Sequence, residues 1–590
     1  MLTILSCEES LSSDSAVFEL ARFLGLEAEI VPLVGDLSAP PPSFQHSQGD
    51  GLVLAMGAAT LRKVFRKAWF TDILGESRLS FFYGFVAAGD GNPELQWLTR
   101  GALSSVVGLG SAENLFTVDF GAEEGIFPVS GRSFKAAPVG PESTAAFLVP
   151  AGSTMQPAIT VNGRPHFARV DVGRCGRFFL AERDLVGIDR ALLPEQTLRP
   201  WYPQLIAAVI FLRSAFGDRC WTSPVTGATL IIDDPYLKPR YGFLRYDSLL
   251  PELRKTGGAV TVGFIPYNYR RSDPRTVAFV GGYPENFSIA VHGCDHMAAE
   301  HASIDETWLE GTTARALARM EAHALRSGLS FDNIMVFPYG KFSTKAVRAL
   351  GACGVHAAVN TEAWPRDHGG SHPTIRDHLD VAMTRYEPLP LFIRRYPRDV
   401  FDFAFDALFQ KPILGVEHHE FFRDGLEALG KLVREVSSLS PRVKWMPLGR
   451  TLESSYLLRR TGEGRCALRH FMPTVRIRNP DPNELQFAVE KPEWEDRVDA
   501  VLVNGREVPF EVRSRRLTYG IRLGPGEEAD VRIRSRAARR PIVVPSWKYR
   551  INVRVRRMLS EIRDNQLARN RHVLALAVKT RGLLRTKQSR

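Results

Sequence analysis

Two histidines four residues apart and a pair of adjacent aspartates are the residues of this chain best suited to metal chemistry. His292 and His296 form an HxxxH pattern, and Asp233 and Asp234 follow an apolar run. Two imidazoles and one carboxylate supply three N/O ligands, which leaves a coordination position of a divalent ion open for water. The sequence therefore predicts a catalytic metal site built from both histidines and one of the two aspartates. A chance HxxxH with a purely structural role is the alternative interpretation.

The elements that must position these residues are short apolar runs, each of which ends in polar residues. Five such endings lie between residues 226 and 458: Asp233-Asp234, His292 to His296, Pro338-Tyr339-Gly340, Asn360 to Trp364, and Glu417-His418-His419. Runs of this length fit parallel strands that are buried on both faces, and the stretches between them fit helices. Because the carboxyl ends of such strands converge, we expect the five endings to form one site.

The order of these motifs resembles that of the polysaccharide deacetylase family, the NodB-homology domain of carbohydrate esterases. Four segments carry the resemblance. Thr229 to Asp234 resembles the TFDD-type motif, and His292 to His296 resembles the HxxxH motif. Val336 to Gly340 resembles the RxPY-type motif, and Pro412 to His419 resembles the hydrophobic-x-His motif. The resemblance covers residues 226–458 and implies a distorted (β/α) barrel with deacetylase activity.

The resemblance also implies a role for each matching residue. A divalent metal ion, with Zn2+ as the expected species, would be held by three ligands: Asp234, His292 and His296. Asp233 would be the base that takes a proton from the attacking water. The backbone N–H of Tyr339 would stabilise the oxyanion, a contribution that is typically worth about 3 kcal/mol.

A histidine of the last motif would protonate the leaving group. His418 is the first choice because it lies two residues beyond Val416, on the strand face that is expected to point inward. His419 is the second choice. One of the two is expected instead to cap the helix that begins near Glu420.

The sequence departs from the family pattern at two positions. Val336 stands where the third motif usually has an arginine that orients the catalytic aspartate, and Ala363 stands where the fourth usually has an aspartate. Arg394 and Arg395 follow another apolar patch and are predicted to supply the missing cation or to bind substrate. Trp364 is predicted to line a sugar subsite, with a core tryptophan as the alternative.

Changes in the pattern of apolar, polar and turn residues along the chain predict four segments. Residues 1–201 are predicted to form an N-terminal α/β accessory domain, and residues 226–458 the barrel. Residues 466–536 are predicted to form a small antiparallel β-sandwich-like domain, and residues 546–590 a basic amphipathic tail. The strands between His166 and Ala181 resemble the terminal hairpin of class I glutamine amidotransferase-like accessory domains. No cysteine occupies a nucleophile elbow there, so a non-catalytic role is expected.

The net charge of +11 lies in the tail, where residues 546–590 contain 13 basic and two acidic residues. The rest of the chain has 63 basic and 63 acidic residues. This balance and the lack of a recognised nucleic-acid motif argue against nucleic-acid binding. A basic helix with apolar residues at helical spacing predicts attachment to an anionic membrane surface, and a solvated tail is the alternative.

The cysteines and the N-terminus favour a cytoplasmic protein. The six cysteines occur singly, the first nine residues already contain two acids, and the apolar run Leu205 to Leu212 is too short to span a bilayer. We therefore expect a cytoplasmic protein, peripheral at the inner face of the membrane. Its expected substrate is an acetylated carbohydrate or a lipid-linked glycan, with the acetyl group on nitrogen or oxygen. A catalytically idle carbohydrate-binding or assembly module is the competing hypothesis.

Overall fold

The computed structural model describes residues 1–35, 37–41, 51–87, 91–121, 126–140, 144–298, 300–367, 372–536 and 541–567. Within these ranges the chain builds a nine-stranded sheet, an eight-stranded barrel-like sheet, and a pair of smaller sheets with five and four strands. Residues 568–590 of the predicted basic tail lie outside the described residues.

The first sheet is mixed. Its strands are β1 (Leu2–Ser6), β2 (Ala28–Pro32), β3 (Leu52–Gly57), β4 (Ser77–Tyr83), β5 (Ser105–Gly108), β6 (Asn114–Val118), β7 (Arg132–Ala136), β8 (Ala145–Leu148), β9 (Gln156–Val161), β10 (Arg164–Val172) and β11 (Cys175–Leu180), with β5 and β8 paired separately. Its helices are α1 (Leu11–Phe23), α2 (Ala58–Val64), α3 (Ala68–Glu76) and α4 (Pro93–Thr99). The order is β2-β1-β3-β4-β11-β10-β9-β6-β7, parallel from β2 to β11 and antiparallel beyond.

A buried helix, α5 (Tyr202–Phe216), connects this sheet to the barrel. Every residue from Leu205 to Leu212 is buried, and the helix belongs to one continuous core with both sheets. The apolar run is therefore a core helix, which explains why it is hydrophobic on all sides. Among the described residues, no helix combines the length and the apolar character needed to cross a membrane.

The barrel-like sheet is parallel throughout, as the sequence predicts. Its strands are β12 (Thr226–Asp233), β13 (Val260–Phe264), β14 (Phe287–His292), β15 (Asp332–Val336), β16 (Ala357–Asn360), β17 (Leu391–Ile393), β18 (Ile413–Glu417) and β19 (Val443–Trp445). Its helices are α6 (Tyr246–Thr256), α7 (Pro274–Gly281), α8 (Glu306–Ser327), α9 (Thr344–Ala352), α10 (Ile375–Leu379), α11 (Val400–Leu408), α12 (Glu427–Ser437) and α13 (Leu448–Glu453).

The strand order β17-β16-β15-β14-β13-β12-β18 places β17 and β18 at opposite ends, and Arg395 joins them. The backbone N–H of Arg395 donates to Leu414 (2.8 Å), and Val416 donates to the carbonyl of Arg395 (3.0 Å). These two bonds close the sheet into a distorted barrel, so that the carboxyl ends of its strands face one opening.

Two further sheets follow and pack face to face. Their strands are β20 (Leu457–Gly462), β21 (Arg465–Arg469), β22 (Thr474–Arg478), β23 (Leu485–Pro492), β24 (Val498–Val503), β25 (Arg506–Val508), β26 (Phe510–Arg513), β27 (Arg516–Leu523) and β28 (Glu528–Ser535). Alternating residues of both sheets form a separate core. Two details correct the sequence prediction: the sandwich begins at Leu457, and β21 pairs with β23 in parallel. The last helix is α14 (Trp547–Ile562), followed by a π-helical turn, Arg563–Leu567.

The side chain of Arg395 contributes to barrel stability. It forms two hydrogen bonds to Asp406, at 2.6 and 3.0 Å, and the Asp406 side chain is only 4% exposed. Replacing Arg395 by Met leaves that carboxylate buried without its partner, so we expect the free energy of unfolding to fall by about 3 kcal/mol. Urea denaturation followed by tryptophan fluorescence measures this loss. The exposed Arg398→Met variant is the control, and equal midpoints for the two variants would contradict the expectation.

Candidate metal and catalytic site

Asp234, His292 and His296 converge at the carboxyl ends of β12 and β14. Oδ1 of Asp234 lies 3.0 Å from Nε2 of His296 and 3.6 Å from Nε2 of His292. One ligand atom from each of the three residues lies within 4.8 Å of the others. Oδ1 of Asp234 is buried and has no hydrogen-bond partner among the described residues. A buried carboxylate oxygen facing two imidazole nitrogens suits a divalent cation, so these residues fit the implied metal.

Neighbouring groups orient both histidines. Nδ1 of His292 lies 2.9 Å from the carbonyl oxygen of Val336, which leaves Nε2 facing Asp234. The loop to His296 is held by the Glu300 carboxylate, which accepts hydrogen bonds from the N–H groups of Asp295 (2.6 Å) and His296 (3.0 Å). Burial and the charge of Asp295 raise the pKa of Glu300 to about 7.

Asp233 lies next to the triad, with its Oδ2 3.9 Å from Nε2 of His292, and has its own counter-ion. Arg394 donates two hydrogen bonds to it, both 2.7 Å long, and the two side chains are 5% and 3% exposed. Burial alone would raise the pKa of Asp233, but attraction to Arg394 and His292 lowers it below the ordinary value. Arg394 thus supplies the cation that Val336 does not. Because both of its hydrogen bonds go to Asp233, its predicted role in binding substrate stays a prediction.

The two adjacent histidines of the last motif have different surroundings. His418 directly follows β18 and is half-buried, so its predicted role as the acid stays a prediction. His419 is 3% exposed, contacts the ring of Tyr241 at a centroid distance of 5.5 Å, and lies 3.7 Å from Asp564. A short 3-10 helix begins at His419, and the side chain of His418 before it makes no capping hydrogen bond. One of the two histidines, His418, thus occupies the N-cap position as expected, but its side chain does not bond to the helix.

Three residues of the site have left-handed backbone conformations. The φ angles are 80° at Asp234, 60° at His296 and 60° at Tyr339. Such conformations cost about 1–3 kcal/mol each in residues other than glycine and persist where the surrounding packing imposes them. Tyr339 follows Pro338, and its ring centroid lies 4.7 Å from that of His296, next to the triad.

Two predicted substrate-binding residues are placed elsewhere. Arg395 pairs with Asp406 at the barrel seam, and Trp364 donates its indole N–H to the carbonyl of Leu192 at 2.9 Å. The Trp364 ring also packs on His378, with centroids 5.1 Å apart. Both side chains stabilise the fold, so the structure does not bring them to the triad.

Sequence reasoning missed the contribution of α14 to this site. Arg557 is 3% exposed and lies close enough to Asp234 for that carboxylate to raise its pKa against the opposing effect of burial. The signal in the sequence is the position of the two acids of the basic tail. Glu561 pairs with Arg271, and Asp564 accepts a hydrogen bond from Tyr241 (2.6 Å), so both acids attach α14 to the barrel.

Comparisons with known proteins found similar solved structures only. Agd3, a carbohydrate deacetylase, aligns with a TM-score of 0.44 and 10% identity over 90% of this chain and 98% of its own. A polysaccharide deacetylase described as putative, from Mycobacterium smegmatis, aligns with a TM-score of 0.28 and 16% identity over 39% of this chain and 90% of its own. A family 4 carbohydrate esterase from Streptomyces lividans, in complex with acetate, aligns with a TM-score of 0.24 and 14% identity over 38% and 91%. No family model and no curated protein match the sequence.

The geometry separates metal ligands from the neighbouring base. We expect His292→Ala and Asp234→Asn to lower Zn2+ affinity by at least about tenfold, since each removes a ligand atom. Asp233→Asn should retain Zn2+, because Asp233 is bound to Arg394. Competition with a chromophoric chelator measures the affinities. Equal losses in Asp233→Asn and Asp234→Asn would contradict this division.

Proposed function

We propose that this protein is a metal-dependent hydrolase that removes N- or O-linked acetyl groups from a carbohydrate. The observation that carries the proposal is the buried Asp233–Arg394 pair beside the convergent Asp234, His292 and His296. An ionised base next to a three-ligand site is the arrangement that hydrolysis of an acyl group requires. The motif resemblance supports a carbohydrate substrate, and the similar solved structures include carbohydrate deacetylases.

The residues of the chain divide the reaction between them. A divalent ion held by Asp234, His292 and His296 would supply Lewis acidity toward the acetyl carbonyl and the attacking water. Asp233 takes the proton of that water, and its lowered pKa keeps it ionised and ready to act as a base at neutral pH. Arg394 fixes both oxygens of the base through its two hydrogen bonds.

The remaining steps need a donor for the oxyanion and an acid for the leaving group. The backbone N–H of Tyr339, in the turn after Pro338, is assigned to the oxyanion. His418, half-buried directly after β18, is assigned to the leaving amine or alkoxide. His419 has no role in this scheme, because it is packed against Tyr241 and Asp564.

Acetate release tests the proposal. Zn2+-loaded protein should release acetate from N-acetylated or O-acetylated oligosaccharides, and Asp233→Asn should lower kcat by about 10²–10⁴, the usual contribution of a general base. Arg394→Lys should lower kcat less than Arg394→Met while both retain Zn2+. An enzymatic acetate assay at saturating substrate measures kcat. If the wild-type protein holds Zn2+ but releases no acetate, the idle carbohydrate-binding module is the better account.

We also propose that α14 attaches the enzyme to an anionic lipid surface, where a lipid-linked glycan would be met. Its apolar residues face solvent: Trp547, Ile551, Val555, Met558 and Leu559 are 45–62% exposed. Lys548, Arg550 and Arg554 are exposed on the same helix. An apolar stripe with basic neighbours suits the interface of an anionic bilayer, and each basic residue there adds about 1 kcal/mol.

Vesicle co-sedimentation tests this attachment. Full-length protein should pellet with phosphatidylserine-containing vesicles and less so with neutral ones, and the double variant Met558→Gln/Leu559→Gln should remain in the supernatant. The matched control is Leu325→Gln, which alters an apolar residue that is 90% exposed on α8. Equal pelleting of the double variant and the control would count against the lipid surface.

A further inference from the structure

Helix α14 lies over the candidate active site and contacts two of its parts. Arg556 donates a hydrogen bond to the hydroxyl of Tyr339 and lies 5.1 Å from the centre of its ring. The next residue, Arg557, is buried beneath the helix and is 3% exposed. Beyond the helix, Asp564 lies 3.7 Å from His419. The helix thus spans the opening from the oxyanion side to the last histidine motif.

Arg557 is the residue of α14 that reaches deepest. It is 3% exposed, and its Nε and Nη2 have no hydrogen-bond partner among the described residues. These two donors form one edge of the guanidinium, the edge that normally binds a carboxylate with two hydrogen bonds. A buried cation without such bonds is costly, and its principal charge compensation is Asp234.

The Asp234 carboxylate therefore serves two cations. It offers an oxygen to the candidate metal site with His292 and His296, and it attracts Arg557. Arg556 of the same helix contacts the ring of Tyr339, which lies 4.7 Å from the ring of His296. A divalent ion held by the triad would therefore add positive charge near the arginines of α14 in a poorly solvated environment and repel them. By linkage, closure of α14 and metal binding must then weaken each other to the same extent.

The contacts that hold α14 in place suit an element that opens. Within the helix, Val553 and Arg557 are the buried residues, while the apolar stripe faces outward. The remaining attachment is mostly polar: Arg271 donates to Glu561 at 2.9 Å, and Tyr549 donates to Asp295 at 3.2 Å. The ring of Tyr549 also contacts that of Trp308, with centroids 5.3 Å apart. A segment with little buried apolar surface belongs to the low-stability part of a structure.

We propose that α14 is a lid that closes the active site, held there by its contacts to Tyr339 and Arg271, and that the lid opens when a divalent ion and the glycan bind. The inference rests on the proposed deacetylase function. In the closed position the side chains of the triad are at most 14% exposed, so a sugar chain reaches them only after α14 has moved.

Two variants test the lid, and Glu561→Gln is the sharper one. If Glu561 acted only through its charge, its removal would weaken Zn2+ binding, because one negative charge near the site is lost. Release of the lid predicts the opposite, a Zn2+ affinity about tenfold higher, which lies within the usual range of coupling between sites. Glu321→Gln, an exposed change on α8, is the matched control. Arg557→Gln should behave like Glu561→Gln, with the exposed Arg554→Gln as its control.

Hydrogen exchange and activity complete the test. Zn2+ should speed amide exchange in Trp547–Ile562 of the wild-type protein, and kcat/KM for acetate release should rise in Glu561→Gln. The lid proposal would be overturned if Glu561→Gln binds Zn2+ no more tightly than the wild-type protein and if Zn2+ leaves amide exchange in α14 unchanged. Loss of acetate release in Arg557→Gln with unchanged exchange would also overturn it and make Arg557 a substrate-binding residue. Absence of acetate release from every variant would contradict the deacetylase proposal, while exchange and Zn2+ affinity would still decide on the lid.

Discussion

Two adjacent carboxylates at the end of one buried strand impose the main constraint on this structure. Asp233 and Asp234 are 5% and 14% exposed, so each needs its own positive or metal-binding partner to remain ionised. Asp233 obtains Arg394, which follows β17, whereas Asp234 faces His292 and His296 at and beyond the end of β14. These partners come from opposite halves of the sheet, so the site exists only when the barrel is closed.

Closure in turn depends on the residue next to Arg394. Arg395 joins β17 to β18 through its backbone and holds the buried Asp406 with its side chain. Neighbouring residues in an extended segment point to opposite sides, so one arginine faces the opening and the other faces the barrel wall. The pair therefore couples barrel stability to the orientation of the candidate base.

Helix α14 reverses the usual orientation of an amphipathic helix. Its charged face, with Arg557 and Glu561, lies against the barrel, and its apolar face, with Ile551 and Met558, lies in solvent. Polar and charged groups around the candidate site make this possible, because the opening offers the helix partners such as Tyr339 and Arg271. Membrane attachment and lid movement thus use opposite faces of one helix.

The sequence by itself determined the parallel β/α series, the apolar run of α5, the helical spacing of α14 and the candidate ligands at the strand ends. These follow from local periodicity and from residue type, which are properties of short segments. Tertiary structure alone decided that Arg394 pairs with Asp233 and Arg395 with Asp406, that His419 lies against Tyr241, and that Trp364 packs against the core. It also decided that α14 lies over the opening. Most of these choices depend on which distant charge or carbonyl a side chain meets. One-dimensional spacing carries no information about partners that lie 161, 172 or 323 residues away.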